Sequence, residues 1–332
     1  MTSKERVLRN YTFRSIDRFT IDFCAESKVY ARLREHFGLA SDLALMERLH
    51  VDFRYPKPEW IGFPLVDGQG RSTDYFGIPR GGEGDFGYAV EHPLANVQSI
   101  ADVEAYSKWP SADMWDYEKY AEDCRSFEEY AVLGGAWGWF FEAACELVGM
   151  DRWFLLLYDK PEVAHAILEK ITGFMERTSE IMFQKAGRWI DICFTGDDYG
   201  LQRGPMMSPT LFDEFVRPYL QRMYSAGRRH GKLVMHHSCG SVAKWIPRFL
   251  EMGLNILEPI QVRAAGMDAR ELAARHGGQL CFHGSIDTQP VKLNGVRKWI
   301  WPDPYTVAIR RSPRCAHWTP APPPVKLRGN TN

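Results

Sequence analysis

Three residues in the stretch Leu233-Val-Met-His-His-Ser-Cys-Gly240 carry side chains that bind metals or move protons: His236, His237 and Cys239. A His-x-Cys pair sets a borderline nitrogen and a soft sulfur within reach of one ion, a combination that suits zinc. The apolar run 233–235 follows Gly231, and Gly240-Ser241 leads into a new helical pattern. The stretch therefore reads strand, turn, helix, with the three residues at the strand's carboxyl end, where parallel α/β proteins bind ligands. A plainer reading stays open, in which Cys239 is a small buried hydrophobe over a packed histidine. Two ligands do not make a site.

Other strand ends carry chemistry too. Short apolar runs at 130–133, 190–194, 255–257 and 279–282 alternate with helical patterns, which predicts a parallel sheet. After the first come Gly134-Gly-Ala-Trp137, with Glu142 a little further on. After the second come Asp197 and Asp198, after the third Glu258 and Gln261, and after the last His283, Ser285 and Asp287. Asp198 and Asp287 are also suited to capping the helices that follow. Histidines and a cysteine are not needed for capping, so a convergent site is the stronger expectation. No GxGxxG follows any strand, which argues against a dinucleotide fold. A (β/α)8 barrel of the TIM type is expected, incomplete at its C-terminal end if the last strands fail to form.

The elements that must position these groups are read from periodicity and punctuation. Helices are expected over 28–37, 41–49, 99–107, 117–128, 138–148, from Pro161 onward, 241–252 and 268–276, and strands at 19–23, 51–53 and 73–76. Ser208-Pro209 opens a helix with a kink expected at Pro218. Gly81-Gly-Glu-Gly84 reads as a mobile loop and not as a phosphate cradle, since no helix follows it.

Composition excludes several classes. The chain has 332 residues, 45% apolar and 25% charged, ordinary for a globular protein. It has no basic stripe to bind nucleic acid and no apolar run near the ~20 residues that span a bilayer. The seven cysteines are dispersed with no CxxC, which reads as reduced thiols in the cytoplasm. Charge is uneven: from residue 288 onward one acid, Asp303, stands against eight bases.

Gly196-Asp-Asp-Tyr-Gly-Leu-Gln-Arg-Gly204, Met207-Ser-Pro209, His237-Ser-Cys-Gly240 and Phe282-His-Gly-Ser-Ile-Asp287 resemble the uroporphyrinogen decarboxylase superfamily. The opening residues 2–8, 16–18 and 21–23 also match its pattern. The resemblance implies a TIM-type barrel over a domain of residues 1–290, with N-terminal helices before the barrel. It has two branches. True decarboxylases bind a tetrapyrrole through an N-terminal Arg-Gln-Ala-Gly-Arg-Tyr stretch, and here Ile21-Asp-Phe23 stands in its place. Cobamide-dependent methyltransferases carry zinc on His-x-Cys and a later Cys, and His237 and Cys239 match that pair, with Cys315 the later cysteine.

This resemblance implies a zinc-dependent methyltransferase that moves a methyl group between a small methylated compound or thiol and a corrinoid (cobamide) protein. His237, Cys239 and Cys315 would be metal ligands. Glu142, Asp198, His236 and His283 would be catalytic groups, with His236 orienting a ligand or substrate, and Gln202 and Asp287 would bind the cofactor. The alternatives are a uroporphyrinogen decarboxylase-like enzyme of porphyrin or heme biosynthesis and a non-catalytic tetrapyrrole-binding protein.

Residues 291–332 depart from the family. They hold Trp299-Ile-Trp301 at their start, then seven prolines from 302 onward, with 305–309 as a candidate eighth strand. Three readings compete: a variant closing segment that supplies Cys315, out-of-frame translation of GC-rich DNA, and a Pro-rich disordered tail.

Overall fold

The structure, a computed structural model, describes residues 1–82, 85 and 87–284. At its centre lies one sheet of six parallel strands: β1 (Phe53–Arg54), β2 (Ala131–Gly134), β3 (Ile192–Gly196), β4 (Leu233–His237), β5 (Ile256–Glu258) and β6 (Cys281–Phe282). They stand side by side in chain order, every neighbouring pair parallel. Sequential parallel strands with helical returns build the wall of a TIM-type barrel, as expected. The candidate strand at 305–309 and the tail at 291–332 lie outside the described residues.

Side chains alternate across this wall. Phe53, Leu133, Ile192, Met235, Ile256 and Cys281 face inward and share one core with Val7 and Tyr11 of helix α1 (Ser3–Tyr11). The opposite faces pack outward: Val132, Cys193, Val234 and Leu257 belong to the core between strands and helices. Helix α1 thus closes the amino end of the barrel with its own apolar face. A buried carboxylate fastens it there. Asp52, at 0% exposure, accepts hydrogen bonds from Ser3 Oγ (2.7 Å), Arg6 Nη1 (2.7 Å), Arg18 Nη1 (2.7 Å) and the Ile21 amide (2.9 Å). Buried charge is tolerable only when it is paired and hydrogen-bonded in this way.

The outer helices include α2 (Phe140–Val148), α3 (Pro161–Ala186), α4 (Arg217–Arg229), α5 (Ile246–Met252) and α6 (Ala269–His276). Along α3 the expected stripe of Val163, Ile167, Ile171 and Phe174 is buried. The expected break near Pro218 is also present, as a π-helical turn over Phe212–Val216 just before α4. Proline lacks the N–H that an unbroken α-helix needs, and the wider turn takes up the change.

Three local expectations differ. Residues 19–23 are extended but stay out of the sheet, since the Ile21 amide and carbonyl are both bonded to Asp52. Residues 73–76 form a turn in which Asp74 Oδ1 accepts from the Phe76 (2.9 Å) and Ile78 (3.0 Å) amides, the local bonding that favours Asp in turns over strands. The helix expected from 241 begins only at Ile246. Ser241 is held out of it by its own bonds, from its amide to Leu201 O (2.9 Å) and from its hydroxyl to Ala265 O (2.5 Å). None of the described helices is long and apolar enough to cross a membrane.

Candidate functional site

Two residues beyond each inward core position, strand parity brings a second inward layer: Tyr55, Gly135, Phe194, His237, Glu258 and His283. These lie at the carboxyl ends of the strands, the end where TIM-type barrels hold their sites. Side-chain contacts link the members of this layer. Tyr55 stands edge-on to Phe194, with centroids 5.7 Å apart, and Phe194 stands edge-on to Trp137 at 4.7 Å. Trp137 leans on His237 at 5.5 Å, His237 meets Glu258, and His283 stands edge-on to Phe53 at 5.4 Å.

His237 has its two nitrogens divided between partners. Nδ1 lies 2.6 Å from Glu258 Oε2, while Nε2 lies 3.5 Å from Cys239 Sγ and 3.7 Å from Asp198 Oδ1. Burial alone would lower the His237 pKa. The bonds to Cys239 and Glu258 and their charges outweigh it and hold the pKa well above the ordinary histidine value. Asp198, His237 and Cys239 offer one oxygen, one nitrogen and one sulfur within 4.8 Å of one another. Such a mixed donor set, with the far ring nitrogen held by a carboxylate, suits a borderline ion such as zinc.

The loops that present these groups brace one another. Asp198 Oδ1 accepts from the Cys239 amide (2.7 Å), the Ser238 amide donates to Glu258 O (2.7 Å), and Gln261 Oε1 accepts from the Gly240 amide (2.9 Å). Gly240 has φ +81°, and an added Cβ would sit 2.4 Å from Gly200 O, so only glycine fits this turn. At Gly196 a Cβ would meet both His237 Cβ and the Trp137 ring at 2.8 Å. Its missing side chain is the space the indole occupies.

On the other side of the mouth is a second polar group. His283 Nδ1 lies 2.6 Å from Tyr11 Oη and Nε2 lies 3.1 Å from Asp22 Oδ2, which also accepts from Tyr55 Oη. Burial would lower the His283 pKa, but the bond to Asp22 and the charges of Asp22 and Glu258 raise it. Burial first, then the Asp22 charge, pushes both Tyr11 and Tyr55 upward, so the two phenols stay protonated.

Glu142 begins α2 and retains solvent contact, yet protein surrounds it on most sides, as in a cleft. Desolvation, then the charges of Glu146 and Asp198, pushes its pKa up to about 7. Arg80 is the guanidinium that acts against this, but it is already held by Asp74 and by both oxygens of Glu146 (2.7 and 2.6 Å). The capping role considered for Asp198 falls to its neighbour. Asp197, 2% exposed, accepts from the Phe141 (2.6 Å) and Glu142 (3.1 Å) amides at the start of α2.

The structure brings His237, Cys239, Asp198, Glu142 and His283 around one mouth and separates others from it. His236 is a correction. One residue out of phase with His237, it points outward and packs against Tyr199, Tyr224 and Phe249, with centroids 5.3–5.6 Å away. Its ring nitrogens have no hydrogen-bond partner among the described residues, and burial drives its pKa well below the ordinary value. It cannot orient a ligand in the mouth. Gln202 is exposed on the hairpin after β3 and donates to Arg263 O (3.0 Å), which ties that hairpin to the loop after β5. Asp287 and Cys315 lie outside the described residues. Glu258 and Trp137 stand among the strand-end groups expected from the sequence but without an assigned role, and Asp22 and Tyr55 are not among them. For Glu258 the signal was parity, since it lies two positions beyond the inward Ile256. Asp22 has no comparable signal, because its partner His283 is 261 positions away in the chain.

Comparison with known proteins agrees with this fold. The family described as Uroporphyrinogen decarboxylase (URO-D) matches residues 90–295. Among solved structures, a methyltransferase from Methanosarcina mazei is similar over 86% of this chain and 82% of its own, at 17% identity and a TM-score of 0.61. At that identity the likeness carries the fold. No curated protein matches the sequence.

Proposed function

The chain belongs to the uroporphyrinogen decarboxylase family, and within it we propose that the protein is a methyltransferase whose site is built on His237 and Cys239. The observation that carries this reading is the pair itself: an imidazole whose Nδ1 is held by Glu258, with its Nε2 turned to the Cys239 sulfur and the Asp198 carboxylate. The solved methyltransferase of similar fold supports it. His237, Cys239 and Asp198 would hold a zinc ion, which lowers the pKa of a bound thiol and makes it nucleophilic near neutral pH. The acceptor or donor in trans would be a corrinoid protein, and the small partner a methylated compound or thiol.

The chain's own residues divide the work. Glu258 fixes the His237 ring and keeps its Nε2 directed at the site. Glu142, with a pKa near 7, is placed to exchange a proton at working pH. Among the described residues the inward layer contains no arginine, whereas the four carboxylates of a uroporphyrinogen call for several. Asp198, Glu258 and Glu142 would repel such a substrate. The decarboxylase reading is disfavoured on that ground.

Metal analysis of the purified full chain, paired with transfer of methyl from methylcobalamin to a small thiol, tests the proposal. About one zinc per chain and measurable transfer are expected, with both lost in Cys239→Ala. A metal-free protein that decarboxylates uroporphyrinogen would overturn it.

A further inference from the structure

Trp137 is 41% exposed, whereas Trp153 and Trp245 are fully buried. Its ring lies over Gly196 at the edge of the mouth, leaning on His237 on one side and edge-on to Phe194 on the other. Tyr55 extends the same wall beyond Phe194. An exposed indole rimmed by further rings is a surface that can attract cations to its π-face. The charges nearby agree. The carboxylate of Glu142, which lies outside the proposed zinc ligands, has no hydrogen-bond or ion-pair partner among the described residues. Arg80 is occupied by Asp74 and Glu146. With Arg80, the guanidinium that acts on Glu142, already paired, an acidic, aromatic-rimmed mouth does not suit an anion and gains nothing from a neutral alcohol or thioether.

We propose that the small methyl donor at this site is an onium cation, a methylated ammonium or sulfonium compound, seated against the Trp137 ring in the field of Glu142. The word donor rests on the methyltransferase reading, while the binding of the cation does not. A quaternary onium group has no N–H to donate, so aromatic faces and carboxylates at a short distance are what can recognise it. The transfer balances without an oxidant. The C–N or C–S bond breaks and its electron pair stays on nitrogen or sulfur. The methyl carbon forms its new bond to a thiolate or to a reduced corrinoid, and a neutral amine or sulfide departs. That product has lost the charge the wall attracts, which favours its release.

Calorimetric titration of the full chain with tetramethylammonium, tert-butanol and trimethylacetate tests the inference, since the three probes share a shape and differ in charge. Tetramethylammonium should bind about tenfold more tightly than tert-butanol, and trimethylacetate should not bind. Trp137→Leu should remove most of that preference and Trp137→Phe should keep part of it, with circular dichroism confirming that both variants fold. Equal binding of cation and alcohol, or a preference unchanged in Trp137→Leu, would overturn the proposal. The two readings separate cleanly. Tetramethylammonium binding in a chain that transfers no methyl group upholds the cation site and removes the methyltransferase; methyl transfer without tetramethylammonium binding does the reverse.

Discussion

His236 and His237 are neighbours on β4 and share almost nothing else. The first faces the helices, stacked on Tyr199 at 5.6 Å, with neither ring nitrogen bonded. The second faces the barrel mouth with Glu258 on one nitrogen and Cys239 near the other. Burial moves the first pKa down, while hydrogen bonds and charges overcome burial and move the second up. One peptide unit of strand parity therefore decides whether an imidazole serves as packing or as chemistry.

The largest expected effect sharpens that contrast. His237→Ala or Cys239→Ala should abolish zinc binding in equilibrium dialysis, a greater loss than the roughly 100-fold that removal of a supporting partner can cause. His236→Ala should leave zinc binding in place and cost about 2–4 kcal/mol in denaturant unfolding, through the cavity left among Tyr199, Tyr224 and Phe249. His236→Phe refines the comparison. The folded protein holds His236 neutral, while the unfolded chain takes up a proton near pH ~6.5. The wild type should therefore lose stability as pH falls below that value. The phenylalanine variant should show a shallower loss between pH 7 and pH 5. Zinc loss in a folded His236 variant would break the contrast.

Glu258→Gln comes next. The amide keeps the shape but not the charge that supports His237 and helps hold its pKa up. Zinc affinity, measured by competition with a chelator, should fall about 10- to 100-fold. An unchanged affinity would show that His237 holds its ring without Glu258.

What the chain reveals before folding follows the range of the interactions involved. The five strand runs, the α3 stripe and the break before Pro218 depend on neighbours in sequence, and each could be read there. So could the grouping of His237 and Cys239, which share one strand end. The facing of His236 was hidden because Leu233, Val234 and Met235 are all apolar, so the run carries no alternation from which to read its phase. Asp22 and Asp52 were beyond reach for a different reason. Each acts through partners brought together only by the fold, and the extended 19–23 segment resembles a strand whose pairing has been taken over by one residue, Asp52.

Glu142 gives the smallest effect and the most specific one. Its carboxyl titrates near 7 because desolvation, Glu146 and Asp198 oppose its charge more than Arg80 and His237 favour it. A carboxylate with a raised folded-state pKa binds its proton more tightly folded than unfolded, so its ionisation lowers stability as pH rises from its unfolded range through about 7. Glu142→Gln should remove that decline and unfold no more easily than the wild type at pH 8. The same ionisation should strengthen the binding of a cation. Tetramethylammonium affinity in the wild type should rise a few-fold, on the order of 1 kcal/mol or less, between pH 6 and pH 8. In Glu142→Gln it should stay at the low-pH level across that range. The two sites then make opposite predictions for one titration: replacing outward His236 by Phe should leave the cation's pH profile in place, and replacing Glu142 by Gln should flatten it. A profile that rises equally in the wild type and in Glu142→Gln would assign the ionisation to another group of the mouth, with the His237–Glu258 pair the next to substitute.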